Sequence, residues 1–96
     1  MPTNDPRELL RQIGQRIKQL RGSLGLSQEA FAERLDVTGR YVQRVEGGGQ
    51  NVSVKVLAMF ADGLDTTVAD LLKKPRPELA SQVRSNPASR GKRKRD

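Results

Sequence analysis

The sequence predicts an all-α domain of five short helices followed by a basic tail. Three observations carry this expectation. Small polar or acidic residues (Asp5, Ser27, Thr38, Ser53 and Thr67) stand just before segments whose apolar residues recur at helical spacing. Only Asp36 and Val37 separate the segment after Ser27 from the one after Thr38, so these two helices must be joined by a tight turn. Charge also divides along the chain. Residues 1–72 hold nine basic and nine acidic side chains, whereas residues 73–96 hold nine basic ones against Glu78 and Asp96 alone, so the tail carries the whole net charge of +7. The expected division is a folded domain over 1–74 and a Pro/Ser/Lys/Arg-rich tail over 75–96, disordered beyond 85.

The first helix starts after Asp5, with Pro6 at the first helical position and Glu8 placed for a reciprocal capping box. Leu9, Ile13, Ile17, Leu20 and Leu24 form its apolar face. Gly14 costs this helix about 1 kcal/mol relative to Ala, which a close helix–helix approach would explain. Gly25 ends the helix in the left-handed region, with Leu26 where a Schellman motif places its apolar contact. Ser27 caps the second helix and Thr38 the third. Ala32 is the small residue their close packing needs, and Phe31, Leu35, Val37, Val42 and Val45 are the inner faces. Arg40, Gln43 and Arg44 are left on the outside of the third helix.

The run Gly47-Gly48-Gly49-Gln50-Asn51 reads as a flexible loop, and it lacks the Lys-Ser/Thr ending of a phosphate-binding nucleotide loop. Ser53 caps a fourth helix with Val54, Leu57, Ala61 and Leu64 inward and Val56 and Met59 outward. Thr67 and Asp70 bracket the start of a fifth helix whose Val68, Leu71 and Leu72 face inward, and Pro75 and Pro77 stop it. Residues 78–84, with Leu79, Ala80 and Val83, have the pattern of a weak sixth helix.

Composition excludes several classes of function. There is no cysteine and no histidine, hence no disulfide, no zinc site of the usual kind, and no cysteine or histidine catalysis. No convergent carboxylate set suggests an enzyme, and no cofactor is expected. Without an apolar run of membrane-spanning length or a secretory signal, the expectation is a soluble cytoplasmic chain with no membrane partner.

The helical pair at 27–46 resembles the helix-turn-helix of the Cro/XRE family of repressors. The runs LGLSQ (24–28) and YVQRVE (41–46) stand at the family's separation, and the likeness extends over about residues 10 to 72. It implies a five-helix lambda-repressor-like helix-turn-helix domain whose third helix enters the major groove of double-stranded DNA. Arg40 and Arg44 lie four apart on one face and match guanine O6 and N7, a contact that contributes about 1–3 kcal/mol of base discrimination. One of the two arginines binding only phosphate is an equally open reading. Gln43 suits adenine. Tyr41 either donates to a phosphate or only covers the core edge. Thr38 caps the third helix beside the expected path of a phosphate. The resemblance implies a phosphate contact for Gln28, and a buried structural pair of Arg21 with Glu46. Gly39 departs from the family, which usually has a DNA-touching side chain there. Asp36 and Asp65 replace glycines, a change Asp tolerates better than most residues. The 47–51 loop lacks the family's usual Lys or Arg.

Together these readings predict a transcriptional regulator, in the first place a repressor that binds an inverted repeat as a homodimer. The alternative is an antitoxin or restriction–modification controller-type module whose main partner is another protein, a toxin or adaptor. The tail residues Arg90, Lys92, Arg93, Lys94 and Arg95 have three readings: a phosphate-binding arm, a eukaryotic import signal, or a solvated end. Under the first, deleting residues 85–96 lowers affinity for all DNA sequences by a similar factor and flattens the salt dependence, since each phosphate neutralised contributes about 0.9 to the log–log slope. Salt titrations of full-length and truncated protein on specific and scrambled sites check this. Equal slopes would show the tail to be a bystander.

Overall fold

Residues 3–75 are described in the computed structural model. The expectations for 78–84, for Leu79 and Val83, and for the basic residues from Arg90 onward lie outside the described residues. Five helices follow one another: α1 (Pro6–Ser23), α2 (Gln28–Leu35), α3 (Gly39–Glu46), α4 (Val54–Gly63) and α5 (Val68–Leu71). Each starts where the sequence places a cap. The side chains of Asp5, Ser27, Thr38, Ser53 and Thr67 accept from the backbone N–H of Arg7, Ala30, Tyr41, Val56 and Asp70 at 3.0–3.1 Å. Each cap satisfies one of the orphan donors of a first turn and contributes about 1 kcal/mol. Among the described residues no helix is long and apolar enough to cross a membrane.

The first four helices also end alike. The residue after the last turn takes positive φ: Gly25 (75°), Asp36 (60°), Gly48 (79°) and Asp65 (59°). The next N–H then reaches back across the turn, from Leu26 to Arg21 O, Val37 to Ala32 O, Gly49 to Arg44 O and Thr66 to Ala61 O, at 2.9–3.2 Å. These are Schellman closures. Asp36 and Asp65 thus occupy the left-handed region, as the substitution of Asp for Gly requires. The Gly47–Gly49 segment is not the free loop expected from composition. It is the C-terminal cap of α3, and Gly48 lies so close to Arg11 of α1 that a Cβ would stand 2.9 Å from the Arg11 Cα.

The core consists of Ile17, Phe31, Ala32, Leu35, Val42, Val45, Leu57, Phe60, Ala61, Leu64 and Leu71. At its centre the rings of Phe31 and Phe60 meet edge to face, with centroids 5.5 Å apart. Phe60, absent from the expected inner face of α4, belongs to it with Leu57, Ala61 and Leu64. Val54 is instead 73% exposed, because it starts α4 one turn beyond the core's edge. Leu72 is exposed because α5 stops at Leu71 and the next residue rotates outward. Leu9 is also exposed, on the first turns of a helix longer than the core beneath it. Val56 and Met59, expected outside, are half-buried against the core.

Two expected capping boxes are each half made. Glu8 does not return to the Asp5 N–H. Its carboxylate takes Arg11 and Gln12 along the helix, and Thr3 Oγ1 accepts from Asp5 N. Asp70 receives the Thr67 cap through its own N–H, but its carboxylate turns to Arg16 (2.7 Å) and the Thr66 hydroxyl (2.7 Å). Arg16 is 3% exposed and also donates through Nε to the Asp70 carbonyl, so it fastens α5 to α1. Burial alone would raise the Asp70 carboxyl. Hydrogen bonds from Thr66 and Arg16, with the Arg16 charge, outweigh this and hold it below the ordinary 3.8.

Two predictions follow from this packing. A Cβ on Gly14 would lie 2.5 Å from the Glu46 carbonyl oxygen, so the α1–α3 approach leaves no room for it. Gly14→Ala is therefore expected to destabilise by roughly 1–3 kcal/mol, although Ala is the better helix former by about 1 kcal/mol. A raised denaturant midpoint would show that the helices separate at no cost. The second concerns pH. Because Asp70 is depressed when folded, its charge stabilises the fold above 3.8 and the contribution disappears as pH falls through the lower folded value. Asp70→Asn should be less stable than wild type at neutral pH, with the gap closing below 3.8. Urea midpoints across that range decide it, and a pH-independent gap would exclude a role for the charge.

Candidate nucleic-acid interface

The α3 helix has one buried and one exposed side. Val42, Val45 and Glu46 are buried, which leaves Arg40, Gln43 and Arg44 pointing into solvent. Tyr41 lies between the two sides. Its half-buried ring is tilted against Phe60 at a centroid distance of 6.2 Å, so it covers the core edge. Thr38 is exposed at the N-cap. Thus the side chains with hydrogen-bonding ends reach outward together, from a helix whose opposite side is fixed in the core.

What fixes α3 is concentrated at its last residue. The Glu46 side chain is only 4% exposed and accepts from Arg21 Nε (2.5 Å), Arg21 Nη2 (3.1 Å) and Gln28 Nε2 (2.9 Å). Arg21 Nη1 adds a bond to the Leu26 carbonyl (2.7 Å). One carboxylate therefore ties the end of α3 to the last turn of α1, the turn after α1 and the first residue of α2. A buried ion pair contributes little net stability, but removing one partner costs about 3–5 kcal/mol because the other is left buried and uncompensated. Arg21 and Glu46 thus stand together inside, away from the outward face of α3.

Gln28 is placed differently from a plain phosphate contact. Its carboxamide donates one N–H to Glu46, which leaves the second N–H for another acceptor. The burial of Arg16 against Asp70, and the bridge from Gln28 to Glu46, were not foreseen. A signal for the first was present: Arg16 interrupts the stripe Ile13, Ile17 and Leu20 at the helical position where an apolar residue belongs. For Gln28 no spacing rule pointed to Glu46, which lies eighteen residues on. Gly39 at the start of α3 is not bare either. The carboxylate of Glu29, from the first turn of α2, lies over it where a side chain at 39 would stand.

Residues 12–73 match the model of a family described as a helix-turn-helix domain, more than half of the chain. The chain belongs to this family. It is 39% identical over 56 residues to an uncharacterized HTH-type transcriptional regulator of Rickettsia prowazekii, a match that covers 58% of this chain and 43% of that protein. The chain thus spans less than half the length of that relative. It is 37% identical over 60 residues to the control protein C.MunI of a Mycoplasma species, covering 62% of this chain and 81% of the other. Among solved structures it resembles the restriction-modification controller protein C.AhdI from Aeromonas hydrophila, with 37% identity, a TM-score of 0.66, and coverage of 71% and 99%. A transcriptional regulator of the HTH_3 family from Vibrio cholerae is similar at 27% identity and a TM-score of 0.66, over 70% of this chain and 38% of that one. The likeness to Cro/XRE-type regulators, carried in the sequence by the 24–28 and 41–46 runs, is therefore a family relationship.

Proposed function

We propose that this helix-turn-helix protein is a sequence-specific DNA-binding transcriptional regulator, and that it represses from an inverted-repeat operator as a homodimer in the cytoplasm. The observation that carries the DNA reading is the exposed set Arg40, Gln43 and Arg44 on a helix anchored by Val42, Val45 and Glu46. Side chains at those positions reach base edges when such a helix lies in the major groove. Dimerisation is supported by size, because a single domain this small buries a limited core and binds few base pairs. Two domains related by a twofold axis would place their α3 helices about one DNA turn apart, roughly 34 Å.

A more specific reading is favoured by the comparisons. Both controller-type relatives are matched over most of their own length, 81% and 99%. This supports a controller of a restriction–modification system over an antitoxin or adaptor. Finding endonuclease and methyltransferase genes under the promoter that the protein binds would test it. Transcripts unaffected by loss of the protein would exclude it.

The interface is tested by Arg40→Ala and Arg44→Ala. Each should weaken binding to the selected site by about 5- to 150-fold if it pairs with guanine. Melting temperature should barely change, since both side chains are exposed and outside the core. Affinity and melting are to be measured together. Two variants that both bind with wild-type affinity would remove α3 from the interface.

A further inference from the structure

The first turn of α3 presents no side chain of its own at position 39, yet that space is filled. A Cβ built on Gly39 would lie 2.8 Å from the Glu29 carboxyl carbon and 3.0 Å from its Oε1. Glu29 is exposed, and among the described residues its carboxylate makes no hydrogen bond or ion pair. An ionised, unpaired acceptor from α2 therefore sits over the start of α3, at the end from which base edges are contacted. It shares the solvent-facing side with Arg40, whose charge requires an opposite kind of partner.

We infer that Glu29, seated over Gly39 where a side chain would otherwise stand, is a specificity-determining residue of the interface that accepts from a cytosine amino group. This rests on the DNA reading above. An ionised carboxylate can only accept, and in the major groove only cytosine N4 and adenine N6 donate. Adenine presents its N7 acceptor beside N6, which repels a second acceptor, so cytosine is the better match. A phosphate is excluded as the partner by like charge. The glycine is part of the device, because any Cβ at 39 would displace the carboxylate from this position.

The test is selection of binding sites from a random duplex pool by full-length wild type, Glu29→Ala, Glu29→Gln and Gly39→Ala, with affinities and melting temperatures for each. Wild type should select a cytosine at one position of each half-site. In Glu29→Ala the preference there should fall by about 5- to 150-fold while the other positions keep theirs. Glu29→Gln should shift the preference towards adenine, because a carboxamide donates to N7 as well as accepting from N6. Gly39→Ala, whose Cβ pushes the Glu29 carboxylate aside while residue 29 stays Glu, should copy the Glu29→Ala selection at an unchanged melting temperature. An unchanged selected site in Glu29→Ala would overturn the inference. So would an equal gain in affinity on every sequence, which would mark the carboxylate as only a repellent of phosphate. If wild type itself selects no sequence, the DNA reading fails, and this inference with it.

Discussion

A single buried carboxylate holds α3, and with it the outward set Arg40, Gln43 and Arg44, in place. Glu46 ends α3 with its side chain 4% exposed and gathers three N–H donors from α1 and α2. A pair of this kind contributes less to net stability than an apolar replacement would, since both charges had to leave water. Its effect is geometric. With Glu46 fixed at one end and Val42 and Val45 in the core, the rotation of α3 about its axis is decided. Which residues reach outward follows from that rotation alone. Gly14 adds the translational half of the constraint, because only a residue without Cβ lets α1 approach the carbonyls of Val45 and Glu46.

Five side-chain caps and four left-handed closures satisfy the helix ends locally. Helices of eight or ten residues would not persist alone in water, so their ends and their shared core decide whether they form. The buried Arg16 does for α5 what the half-buried Arg21 does for α3. It brings a short helix against α1 by bonding both the backbone and the side chain of Asp70. In both cases the longest helix is the platform and a guanidinium the fastener, which suits a planar group able to reach two acceptors at once.

Charge is distributed in a way that separates two tasks in the proposed DNA binding. The residues 1–72 balance nine cations against nine anions, so the folded part has no strong overall field. In that proposal Arg40 and Arg44 act at short range on an otherwise neutral body. The excess of positive charge lies beyond residue 72. Affinity of an unspecific kind and selectivity would then come from different parts of one chain.

Among the described residues the number of helices, their starts and the turn between α2 and α3 were legible in the sequence, because caps and Schellman closures act within a few residues. Arg40, Gln43 and Arg44 as outward residues were legible too, since helical spacing puts them opposite Val42 and Val45. Composition misled at Gly47–Gly49, where three glycines suggested freedom but the chain closes α3 against α1. Periodicity misled at Val54 and Leu72, which lie on the right stripe or next to it but past the edge of the core. Only the tertiary structure decided that Arg16 is buried against Asp70, that Gln28 joins the Arg21–Glu46 pair, and that Glu29 covers Gly39. Each of these joins residues on different helices, and their partners are set by how the helices pack rather than by spacing along any one of them.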